Sequence, residues 1–134
     1  MLSVFPELLS YEMLGISIIR ISLGCLLFYL GLITIGSKRL IYSEKIKAKN
    51  YPLNSLVPWI LGLIEIFVGG FLIIGFLTQV IVLIVICLLI DLIFIESSIG
   101  KILNFPIIFY LFIILISSAL LFLGPGFWSI DLPL

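Results

Sequence analysis

GLIEIFVGGFLIIGFLTQ, residues Gly62–Gln79, decides the fold. Apart from one acid it is apolar, or glycine, as far as Gly75-Phe76-Leu77-Thr78-Gln79, a run short enough only for a tight turn. Apolar residues continue back to Val57 and forward to Ile95. The stretch therefore predicts two helices, 57–76 and 78–95, joined as a hairpin, with Gly75 as the C-terminal cap and Thr78 as the N-cap. At 1.5 Å per residue, about 20 residues cross a hydrocarbon core of ~30 Å. Barrel strands would alternate polar and apolar residues, and these runs do not.

Working outward, two further apolar runs stand at 14–35 and 105–123. The chain has 134 residues, of which 63% are hydrophobic and 10% charged, against about 25% charged in soluble domains. Mean hydropathy is +1.46. The expected fold is all-α: one domain over 1–134, a polytopic membrane protein built as a four-transmembrane-helix bundle in a lipid bilayer. Net charge is zero and no basic stripe is present, which argues against nucleic acid as a partner. The chain has no His, so the usual neutral-pH proton shuttle and the commonest metal ligand are missing, and no metal site is expected. Cys25 and Cys87 lie inside apolar runs and read as small hydrophobes, with a thiol pair as the alternative.

The N-terminus, MLSVFPELLSYEM, carries Glu7 and Glu12 and no basic residue, so the first span reads as retained rather than cleaved. Lys38, Arg39, Lys45, Lys47, Lys49 and Lys101 all fall in the segments 37–56 and 96–104. Four spans put those two segments on one side, which the distribution of basic residues makes cytoplasmic, with both termini outside the cell membrane. Tyr11, Tyr42, Tyr51, Trp59, Phe127 and Trp128 fall near the proposed interfaces. The basic loop is also suited to anionic lipid headgroups.

Three ionisable residues interrupt the spans: Arg20, Glu65 and Asp91. Each costs roughly 2.5–3.5 kcal/mol at mid-bilayer if unpaired, and such residues mark functional positions by default. Gly62, Glu65 and Gly69 share one helical face, as do Arg20, Gly24 and Gly31. Small residues allow close helix approach, so both faces should point into the bundle. Arg20 stands about 9 Å inside one end and Glu65 about 12 Å inside the other, and an Arg20–Glu65 ion pair, direct or bridged by water, is the expectation. Glu12 and Asp131 are rival partners for Arg20. Asp91 can snorkel to the interface or serve a site. Tyr29 and Tyr110 lie within spans and are candidates to face a headgroup or quinone ring, the alternative being ordinary packing. No P-loop, Rossmann glycine set, metal-ligand cluster or Ser–His pair is present.

The stretch Gly62–Gln79 resembles the second-helix signature of the DoxX family, in which an acid (here Glu65) precedes a Gly pair (Gly69, Gly70) and a Gly-x-x-Thr turn (Gly75 to Thr78). RISLGCLLFYLG, Arg20–Gly31, resembles its first helix. LGPGFWSID, Leu123–Asp131, resembles its closing segment, with Gly124, Gly126, Ser129 and Asp131 in place. The chain departs from the pattern at Leu30, where relatives often carry His, at Gln79, where a basic residue is usual, and in Asn104–Tyr110, which lacks an acid.

The resemblance implies a small membrane subunit of a quinone-linked redox complex, with a soluble or membrane redox partner, a quinone as the cofactor and none tightly bound. Arg20, Glu65 and Asp91 are then the candidates for chemistry, and Tyr29 and Tyr110 for the quinone. Catalysis by the chain alone is not expected, since it offers no cofactor-holding motif. A proton-coupled small-solute carrier, which four spans would favour as a homo-oligomer, and a non-enzymatic scaffold are the alternatives.

Overall fold

The computed structural model describes residues 11–47, 56–100, 105–124, 126, 129 and 130. Five helices are described: α1 (Glu12–Ile35), α2 (Arg39–Lys47), α3 (Val57–Ile74), α4 (Thr78–Ile99) and α5 (Ile107–Leu123). Three of them, α1, α3 and α4, are long and apolar enough to cross a membrane, and α5 is a shorter apolar helix of 17 residues. This is a multi-pass helical membrane protein. Helices stand on the four apolar runs read from the sequence, with α4 running on to Ile99 rather than stopping near Ile95, and three of the four have the length of a span. The polar connection after α1 also holds a helix, α2, which its mixed composition concealed.

The α3–α4 hairpin closes as its glycine requires. Gly75 takes φ +72°, and its N–H donates to the carbonyls of Leu72 and Phe71, while that of Phe76 donates to Phe71. This is a Schellman closure, and its left-handed residue suits glycine. The cap on the other side is not the expected one. Leu77 occupies the N-cap position at φ +46°, and Thr78 is the first helical residue, fully buried. A three-residue turn leaves no room for an extended Thr cap, and Leu77 bears a left-handed conformation costing roughly 1–2 kcal/mol.

Two packed pairs make the bundle. α1 packs most extensively on α3, and α5 on α4. The core includes Leu23 and Leu27 of α1, Val68 and Leu72 of α3, Val82, Val85, Leu89 and Leu92 of α4, and Ile113 and Leu120 of α5. Across α1 and α3 the backbones touch. A Cβ on Gly69 would meet the Phe28 nitrogen at 2.6 Å and the Gly24 carbonyl at 2.7 Å, and one on Gly31 would meet the Gly62 carbonyl at 2.7 Å. The glycine faces therefore turn inward as their spacing predicted, and they lock two antiparallel helices in one register. α2 closes one end of the bundle: Tyr42 and Ile46 are buried and pack with Val57, Leu61 and Ile95. Arg39 lies 4.9 Å over the Trp59 ring.

The register generates a sharp contrast between neighbours. Gly70 has nothing within 4 Å of a built Cβ, whereas Gly69 faces backbone that cannot yield. Gly69→Ala should lower the melting temperature in detergent by several degrees, the consequence of an overpacking cost of about 1–3 kcal/mol. Gly70→Ala should leave it unchanged or raise it slightly, because Ala is the better helix former. Thermal melts followed by circular dichroism check both.

Candidate functional site

α1 ends in a turn that aims a hydroxyl across to α3. Thr34, one residue before the end of α1, is fully buried, and Glu65 of α3 is 1% exposed. The Thr34 hydroxyl lies 3.0 Å from Glu65 Oε2, to which it donates, and 3.0 Å from the Leu30 carbonyl, the ordinary acceptor for a helical Thr. One proton stands between two acceptors. When Glu65 is ionised, Thr34 donates to it. When Glu65 carries a proton, it can donate to Thr34 Oγ1 and leave the Thr34 proton for Leu30. A hydroxyl rotation separates the two arrangements.

Three more polar side chains converge there. Tyr42 from α2 and Tyr110 from α5 are both fully buried, and Glu96 of α4 is 7% exposed. Tyr42 feels the Glu65 and Glu96 carboxyls, and Tyr110 feels those carboxyls and Tyr42. Glu65 Oε1 and the Tyr42 hydroxyl are buried with no hydrogen-bond partner among the described residues, and the buried Tyr110 hydroxyl is directed to the Glu96 carboxyl. Buried polar atoms in this condition mark a place for water or a small polar guest. All five helices contribute one member, so the cluster exists only in the assembled bundle.

Arg20 is not part of it. The guanidinium is fully buried at the opposite end of α1, against the hairpin turn, where a Cβ on Gly75 would meet Arg20 Cζ and Ser129 Cβ at 2.8 Å each. The expected Arg20–Glu65 ion pair is therefore corrected. The glycine register sets Glu65 level with Phe28, eight residues or about 12 Å along the axis from Arg20, and the two side chains reach in opposite directions. Asp131, the rival partner, lies outside the described residues, as does the Glu12 side chain.

The remaining sequence candidates scatter. Tyr110 is inside the cluster, but Tyr29 is 61% exposed on the outer face of α1. Asp91 is exposed on α4. Cys25 and Cys87 are exposed, free thiols, so no thiol pair forms. Tyr42, expected at a headgroup interface, turns inward instead, because α2 lays that face against α3 and α4. Thr34, Tyr42 and Glu96 were not legible as site residues. Thr34 sits at i+14 from Arg20 on the inward α1 face, a weak signal that was available. Glu96 had none, since it reads as the start of a loop until α4 is known to continue to Ile99.

The DoxX family model matches residues 15–98, more than half of the chain. No curated protein and no solved structure matches it.

Tyr42 lies on the short helix outside the spans. Burial pushes its phenol well above the usual range, and the neighbouring Glu65 and Glu96 carboxyls push it further. The folded chain then holds this proton more tightly than the unfolded chain does. Stability is intact below about pH 10 and falls as pH rises beyond it, by up to about 1.4 kcal/mol per unit. Tyr42→Phe should flatten that alkaline decline while leaving stability at pH 7 nearly unchanged. Melting temperatures measured from pH 8 to 11 give the comparison.

Proposed function

The chain belongs to the DoxX family, and from that premise we propose that it is a small membrane subunit of a quinone-linked redox system, its own part being proton exchange at the Glu65 cluster. α5 completes four spans in this reading. The basic segments 37–56 and 96–104 face the cytoplasm and both termini face outside the cell membrane. The redox element comes from the family. The proton element comes from the site.

The observation that carries the reading is the Thr34–Glu65 pair, a buried carboxyl whose hydroxyl partner has a second acceptor in reach, beside two buried phenols, Tyr42 and Tyr110. A carboxyl deep in a span is retained against its insertion cost when it does work on ions or protons. A quinone takes up protons along with electrons on reduction. The residues fit the proton half of that chemistry, since carboxyl and phenol groups hold and pass protons. They do not fit the ring: Thr34, Tyr42 and Tyr110 are fully buried and Glu65 nearly so, which leaves no face open to a planar guest. The quinone is thus met at a partner, and Glu65 accepts or releases a proton by exchanging Thr34 between its two acceptors. Tyr42 and Glu96 lie on the side of α2 and the basic segments, and they relay that proton to the cytoplasmic face.

The same buried acid would serve a proton-coupled carrier, and the two readings part on one variant. Glu65→Gln keeps the shape and the contact to Thr34 but cannot exchange a proton. In membranes holding the assembled complex it should lower quinone-linked turnover about 100-fold, the usual scale for a lost acid–base group, while the chain still co-purifies with a redox partner and quinone. If solute flux in proteoliposomes of the chain alone vanishes instead, the carrier reading replaces this one.

A further inference from the structure

α4 carries the one acidic or basic side chain that is exposed on the apolar helices, among the described side chains: Asp91. It lies seven residues before the end of the apolar span Thr78–Ser98, about 10 Å inside that end. Its carboxyl hangs on a single methylene, so it lacks the stem by which Lys and Arg reach the interface. It makes no hydrogen bond or ion pair among the described residues. Val80, Ile84, Cys87, Asp91 and Phe94 follow one another at helical spacing down one exposed face, and Phe94 is 69% exposed. α4 packs its other sides on α5 and α3, so this face is unpartnered among the described residues.

Charge decides what covers it. A second copy docked through the same face, about an axis along the membrane normal, brings a second Asp91 to the same depth, so the shared face gathers two acids and no base among the described residues. A second copy docked through another face offers no cation at this depth among the described side chains: Arg20 is fully buried, and Lys38, Arg39 and Lys45 stand at the end of the bundle. We propose that the Val80–Phe94 face of α4 is the docking surface for a transmembrane helix of a different protein, which presents a Lys or Arg at the depth of Asp91 and pairs with it. Low dielectric makes such a pair strong and makes its absence costly, which gives specificity as well as affinity. The proposal does not rest on the proton reading, because none of these residues belongs to the Glu65 cluster.

The test uses the full chain in its native membrane, with a photo-crosslinking amino acid replacing Ile90 or Phe94 on either side of Asp91. The expected result is an adduct with one other membrane protein, joined through a peptide from a transmembrane segment that contains Lys or Arg. Its yield should fall about tenfold in Asp91→Leu and Asp91→Asn, the effect of losing about one decade of affinity. It should return when Asp91→Lys is combined with an acid at the partner's basic position. Unchanged melting temperatures of the Asp91 variants in detergent show that the bundle is intact. An adduct of twice the chain's own mass, adducts with lipid alone, or a partner whose yield ignores Asp91 would each overturn the proposal.

Discussion

The contact of backbone on backbone between α1 and α3 is the constraint on which the rest depends. Hydrocarbon offers no hydrophobic drive to pull helices together, so association relies on close fit and on polar groups finding each other. Four glycines supply that fit, Gly24 against Gly69 and Gly31 against Gly62. The fit allows a single register. In that register Thr34 comes within 3.0 Å of Glu65, and Arg20 is carried to the far end, against the hairpin turn. A shift of one helical turn would separate the hydroxyl from the acid and bring side chains into the places that only glycine can occupy.

The inward faces of α1 and α3 were readable before any coordinates, because glycine and charge at i, i+3, i+4 and i+7 have one physical use in a membrane span. The spans were readable for the same reason, since apolar runs of the right length have few alternatives. The partner of Glu65 was not. Opposite charges on adjoining helices invite a pairing, but height along the axis depends on register, and register depends on which glycines meet. Sequence spacing fixes a face, not a level. Tyr42 and Glu96 escaped for a different reason. Both lie where a span gives way to a polar segment, and whether such residues turn inward depends on packing by α2, whose mixed composition gives little periodic signal.

Polar groups in this molecule follow two rules at once. Those inside the bundle are gathered, with Thr34, Tyr42, Glu65, Glu96 and Tyr110 in one place and Arg20 buried at the other end. Asp91 alone among the described acidic and basic side chains of the apolar helices faces outward. A chain that spends insertion energy on interior groups and also leaves one acid on its outer surface has two kinds of business, one within its own core and one with a neighbour.

The three-residue turn at Gly75-Phe76-Leu77 has a mechanical meaning. It is the covalent link between the α1/α3 pair and the α4/α5 pair, and it is too short to let them slide lengthwise past each other. What remains is rotation, with the turn as fulcrum and the Arg20 guanidinium wedged against it. The lever arms end at the other side, where Thr34 and Glu65 belong to one pair and Glu96 and Tyr110 to the other. A small angular movement at the fulcrum would therefore be felt most between Glu65 and Glu96, against the resistance of the core that the four helices share.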